Sequence, residues 1–278
     1  MRRFLGNRMA VAAAVLLAVL VLAAVFAGPL SGYAPTDIDL DLVRSGPSAR
    51  HWLGTDSLGR DELSRLLYAG RVSLGVGGSA ALIGVLLGTL IGGIAGLFGR
   101  WIDQILMRGA DVFLSFPSLV VMIVLAGIIG PSVTTMTLAI GIFQFPTIAR
   151  LVRGLTLSLR EREYVRAARA SGAGSGWIFL RHVLPAVLPS VSVAGTIALA
   201  QAIALEATMS FLGVGVQPPA ASWGNMLTDA QSLTVITKLP WLWAAPGVAI
   251  ALTVLAVNFL GDGLRDALEP RSQVDRVR

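Results

Sequence analysis

RVSLGVGGSAALIGVLLGTLIGGIAGLFGR, residues 71–100, carries no charged side chain between its two terminal arginines. A helix needs roughly 20 consecutive apolar residues to cross a bilayer, so this stretch predicts a membrane span. Working outward, charge is also absent between Arg8 and Asp37, Asp111 and Arg150, and Lys238 and Asp262, and only Glu206 interrupts Arg181 to Asp229. The Asp111–Arg150 stretch is too long for one span and holds Gly130-Pro131, a strong helix break. The expected fold is all-α and polytopic, with six spans near 9–30, 72–98, 105–129, 132–149, 186–212 and 240–261.

The 278 residues are 14% charged, against about 25% in soluble globular chains. The net charge of +6 does not point to nucleic acid, because the arginines flank apolar spans and form no stripe on a soluble face. No cysteine is present, which excludes disulfides and thiol chemistry. His51 and His182 offer no metal-ligand spacing. The first thirty residues have the charge order of a secretory signal, but the run Met9–Phe26 is longer than a signal core and reads as span 1.

Basic residues collect in cytoplasmic loops. With the N-terminus inside, only Arg44, Arg50, Arg60, Arg65, Arg71 and Lys238 fall outside. Both termini, including Arg2, Arg3, Arg271, Arg276 and Arg278, are then cytoplasmic. The expected organisation is a cytoplasmic tail and first span (1–30), an external segment (31–71), a core (72–270) with a cytoplasmic loop at 150–185, and a cytoplasmic tail (271–278).

Within span 2, Ala80, Gly84, Gly88, Gly92 and Gly96 recur every four residues and share one helix face. Membrane helices associate through close backbone approach at such faces. The partner is either another helix of this chain or a second subunit. In the loop, Arg160 to Ala173 reads Arg160-Glu161-Arg162-Glu163-Tyr164-Val165-Arg166-Ala167-Ala168-Arg169-Ala170-Ser171-Gly172-Ala173. This predicts a short surface helix stopped by Gly172, which is expected at positive φ. Ala167 and Ala168 leave room for another protein's groove; the alternative is an ordinary solvated helix.

That loop resembles the coupling loop of ABC importer permeases, whose pattern is Glu-Ala-Ala, then Gly, Ile and Leu-Pro. Here it falls on Arg166-Ala167-Ala168, Gly172, Ile178 and Leu184-Pro185, with Glu163 one turn before the arginine that replaces the family glutamate. Further blocks resemble the dipeptide/oligopeptide/nickel branch: His51–Asp56, Gly59–Asp61, Ser64–Leu66, Ser210–Gly215, Gln217–Pro219, Ser222–Gly224, Pro246-Gly247 and Asn258–Asp266. The resemblance implies the type I ABC importer permease fold and a pathway for peptides. It also implies a second related permease, two ATPase subunits that hold ATP and magnesium, and an extracytoplasmic substrate-binding protein, in a bacterial inner membrane.

Local readings accompany these blocks. Asp56 or Asp61 is expected to cap a short helix ending at Tyr68. Trp223, Trp241 and Trp243 suit the outer membrane interface, and Gly261 and Gly263 are expected to end span 6. No phosphate-cradling Gly-x-x-x-x-Gly-Lys-Ser/Thr loop exists, and Lys238 is the single lysine. No catalytic residue or cofactor site is expected in this chain. Glu206, the one charge well inside a span, is either a gate or a structural hydrogen-bonding group. An ion-coupled carrier or channel working alone, or a membrane anchor, are the competing classes; a carrier of that kind often shows internal repeats, and none is found here.

Overall fold

The computed structural model describes residues 6–268. Arg2, Arg3 and the 271–278 tail lie outside the described residues. Helix dominates, and no strand forms among the described residues beyond an isolated bridge between Thr55 and Asp61. The principal helices are α1 (Arg8–Val25), α2 (Ala27–Ser31), α3 (Glu62–Phe98), α4 (Arg100–Leu114), α5 (Ser118–Ile129), α6 (Val133–Arg160), α7 (Glu163–Ala170), α8 (Ser175–Phe211), α9 (Trp223–Met226), α10 (Leu233–Lys238) and α11 (Trp241–Leu268). Five of them (α1, α3, α6, α8 and α11) are long and apolar enough to cross a membrane, and the bent pair α4–α5 makes a sixth if counted as one span.

The centre of the molecule is α3 against α6, the most extensive helix pairing. The small residues of α3 explain it. A Cβ placed on Gly88 would lie 2.6 Å from the Cβ of Ile148, and one on Gly96 would lie 2.6 Å from the Cβ of Thr156. Gly84 faces Gln144, and Gly92 faces the backbone of Ala149. In the reverse direction, Gly141 of α6 meets the Ala80 carbonyl. The residues at this spacing therefore let two backbones of the same chain approach, as helix association in lipid requires. Leu82, Leu86 and Leu90 are exposed, and their four-residue spacing places them together on another face of α3.

Four expectations need correction. The stretch 105–129 is not one straight span: α4 and α5 meet at 83°. Pro117 has no N–H and restrains Phe116 from helical geometry, while Arg100, Asp103, Arg108 and Asp111 make α4 amphipathic. The helix capped by Asp61 does not stop at Tyr68; it runs to Phe98 because no breaker intervenes. Asp61 Oδ2 accepts from the Ser64 amide at 2.8 Å, and Asp56 instead pairs with Arg60 and Arg65. Gly261 and Gly263 do not end the last span, which continues to Leu268; both are buried, and Gly261 lets Thr196 approach. Finally, Trp223 does not face lipid or water at the surface of the chain but is enclosed by it. It is 2% exposed, with its indole nitrogen donating to the Leu66 carbonyl at 3.0 Å.

Candidate functional site

Two places hold the residues singled out from the sequence. The first is the segment between α6 and α8. Two residues separate the end of α6 from α7, which spans Glu163–Ala170. Its charged side chains face outward, with Glu163, Arg166 and Ala167 exposed and Ala168 half-buried. One residue fastens the helix: Val165 is fully buried and packs in a cluster with Val152, Ile178, Val183 and Val187. This one buried side chain, on a helix whose other apolar residues are three alanines and an exposed tyrosine, anchors α7 to α6 and α8.

The end of α7 is built by hydrogen bonds. Gly172 has φ +85°; its amide donates to the Arg169 carbonyl at 3.0 Å, and the Ala173 amide donates to the Ala168 carbonyl at 3.1 Å. These two bonds form the paired closure that a left-handed residue makes at a helix C-terminus. At the other end, Arg166 Nη2 donates to Glu161 Oε2 at 2.5 Å. That hydrogen bond, and the arginine's charge, hold the Glu161 carboxyl below the usual carboxylate range. Ile178 is buried, Leu184 half-buried and Pro185 exposed. A π-helical turn over Phe179–Val183 lies between them, and His182 stands between the rings of Tyr164 (5.6 Å) and Trp177 (5.1 Å).

The second place is Glu206, fully buried in α8. Ser73 of α3 donates to its Oε2 at 2.7 Å, and Ser210 donates to its Oε1 at 2.8 Å. Each serine is itself held by a backbone amide: Trp223 donates to Ser73 Oγ, and Val216 donates to Ser210 Oγ, both at 3.1 Å. The carboxylate thus joins α3, α8 and the 213–223 loop. Position along the chain gave no hint of Ser73 as its partner, since 133 residues separate them.

Sequence reasoning also missed the ties between α4 and α6. Arg153 donates from Nε and Nη2 to the two oxygens of Asp103, at 2.5 and 2.6 Å, and Arg150 meets Asp111 at 2.5 Å. The only available signal was that α4 carries acidic residues in a region otherwise rich in arginine. Among the described residues no group of acidic or histidine side chains is arranged to hold a metal ion.

Comparison with known proteins agrees with this architecture. Residues 88–274 match the family described as binding-protein-dependent transport system inner membrane component, and residues 1–47 match the N-terminal TM domain of oligopeptide transport permease C. The glutathione transport system permease protein GsiD of Pectobacterium atrosepticum is 44% identical over 271 residues, covering 97% of this chain and 89% of that one. The dipeptide transport system permease protein DppC of Alkalihalophilus pseudofirmus is 42% identical over 267 residues, covering 95% and 86%. In fold, the chain is similar to a chain of the MetNI methionine ABC transporter in its inward-facing conformation, with a TM-score of 0.58 and 19% identity over 74% of this chain and 96% of that one. The chain belongs to the family of binding-protein-dependent transport system inner membrane components, as a membrane-spanning permease with the type I ABC importer fold.

Proposed function

We propose that this permease carries peptides inward, that it works beside a second related permease, and that α7 is the seat of an ATPase subunit. Two such ATPases bind ATP and magnesium; an extracytoplasmic binding protein delivers the peptide. The observation that carries the reading is the setting of α7: an exposed, charged helix pinned by Val165 between the ends of two long spanning helices. Movement imposed on such a helix passes directly into α6 and α8. The peptide class is supported by the names of relatives whose similarity covers nearly the whole chain. The reading puts both termini and α7 in the cytoplasm and the 31–71 segment outside, in keeping with the arginine distribution.

The test is reconstitution. The chain is placed in liposomes with the second permease, the ATPases and the binding protein of the same transport system, and uptake of labelled di- and oligopeptides is followed. Uptake that needs ATP and all partners supports the reading. Uptake driven by a proton or sodium gradient through this chain alone overturns it.

A further inference from the structure

Along one side of the bundle, α6, α8 and the corner between α4 and α5 line a groove of about 480 Å3. On α8 its wall is Ala194, Ile197, Ala198, Gln201 and Leu205, whose three- and four-residue spacing marks one helix face. A second hollow of about 380 Å3 shares Leu151, Ala194 and Ile197 with the groove and continues along α8 to Pro189. Pro189 lies one turn or less from Val187, which packs with Val165 of α7. Together the two form one path from mid-bundle toward the end that carries α7.

No residue lining the groove is charged. Arg265, the one charge on the wall of the second hollow, already interacts within the chain. The groove is apolar except for Ser118, half-buried at the start of α5, and Gln144, Thr147 and Gln201. Gln144 is spent: its amide nitrogen donates to the Ala198 carbonyl at 3.1 Å, and its oxygen is shut away from the groove. Thr147 and Gln201 are exposed, and no group among the described residues hydrogen-bonds either side chain. Gln201 stands about 15 Å along α8 from its end at Phe211, near the middle of a hydrocarbon core about 30 Å thick. Lipid tails offer an amide no hydrogen-bond partner, so this face of α8 looks onto something polar.

We propose that Gln201 and Thr147 hydrogen-bond the main chain of a peptide passing along this groove. The glutamine amide and the threonine hydroxyl each donate and accept. They therefore match the N–H and C=O groups that every peptide carries, whatever its side chains. The apolar remainder of the wall suits the peptide's aliphatic parts, and a wall without charge gives no preference between acidic and basic residues. An uncharged wall leaves the choice of peptide to steps before the groove. The assignment rests on the proposed import of peptides and adds the residues of this chain that meet them.

Two measurements on the transporter assembled with all its partners test it. In lipid nanodiscs, Gln201→Cys should react with a charged, water-soluble thiol reagent, read as a mass shift of this chain. In liposomes, uptake of lysylalanine is compared with uptake of glutamylalanine. The binding protein is the same throughout, so its own preference cancels when each variant is divided by the unaltered transporter. Gln201→Glu should raise the lysyl-to-glutamyl ratio by about tenfold and Gln201→Lys should lower it by about as much, the effect of one charge beside the passing side chain. Thr147→Val, which keeps the shape and removes the hydroxyl, should slow both peptides alike by about fivefold. A position 201 that stays unlabelled in the assembled transporter overturns the site, because lipid or a tightly packed neighbour then covers it. Uptake ratios unchanged in both charge variants overturn it equally. Absence of ATP-driven uptake in the unaltered transporter would be a failure of the import reading, and the labelling at position 201 is read independently of it.

Discussion

Ser73 of α3 and Glu206 of α8 share a 2.7 Å hydrogen bond in which the serine hydroxyl donates. Because Ser73 simultaneously accepts from the Trp223 amide, its proton is committed to the carboxylate. Glu206→Gln keeps one acceptor, and the second hydroxyl retains a lone pair for the new amide N–H. The expected loss is about 1 kcal/mol of stability, with most transport retained. Glu206→Ala strands two buried donors and should cost roughly 2–4 kcal/mol, read as a lowered melting temperature in detergent. Normal melting of Glu206→Gln combined with complete loss of transport would assign Glu206 to gating instead.

At α7, Ala168→Trp and Gly172→Leu should insert normally but lose ATPase binding and transport. Nothing lies within 4 Å of a side chain added at Gly172, so its penalty is one of backbone conformation, about 1–2 kcal/mol, which frays the helix end. At Ala168 the expected obstacle is the partner's groove. Cross-linking from a cysteine at position 168 to the ATPase checks the contact directly; a transporter whose Ala168→Trp variant still couples peptide delivery to ATP hydrolysis would exclude this helix as the coupling element.

The Glu161–Arg166 pair gives a pH signature. A carboxyl whose folded-state pKa is depressed contributes stability above its unfolded pKa and loses it as pH falls through the folded one. The pair should therefore persist into acid below the usual carboxylate range. Titrating Glu161 by NMR should give a low midpoint that Arg166→Ala raises toward normal. Arg166→Ala should be milder in transport than Ala168→Trp, because the acidic contact of the family is already replaced here.

Two kinds of glycine share α3. Gly88→Val should overpack the α3–α6 contact and cost about 1–3 kcal/mol. Gly75 and Gly78 have nothing within 4 Å, so Gly78→Ala should be neutral or stabilising by about 0.5–1 kcal/mol in this chain alone. Thermal melting separates the two. A Gly78→Ala chain that melts normally but no longer assembles would place the second permease on that face.

Ser48 and Ser171 are both exposed, and the chain lacks cysteine, so single cysteines report topology cleanly. Ser48→Cys should react with an impermeant thiol reagent in intact cells, and Ser171→Cys only after the membrane is opened. The reverse pattern would invert the orientation.

The spans were legible because lipid imposes a long, charge-free run that few other environments require. The stop at Gly172 was legible for a comparable reason: one backbone conformation selects one residue. The break at Ser115–Pro117 was passed over because apolarity continues across it, and only Pro117 marks it. Gly261 and Gly263 were misread because glycine serves both as a helix stop and as a contact point between helices; which role applies depends on Thr196, far away in sequence. The same distance hid Ser73 from Glu206 and Asp103 from Arg153. Val165 was readable in principle, as the one branched apolar side chain of α7, but its burial depends on the ends of two other helices.

The continuity of α6 has a mechanical consequence. Its 28 residues, unbroken although Pro146 lies inside the helix, span about 42 Å; the helix adjoins α7 at one end and lies along the glycine face of α3 on both sides of that proline. A rod of that length amplifies rotation: a tilt of about 5° displaces the far end by about 4 Å, more than the width of a water molecule. The bidentate Arg153–Asp103 contact makes α4 ride with the rod, which leaves the corner at Ser115–Pro117 as the place where such a tilt would be absorbed.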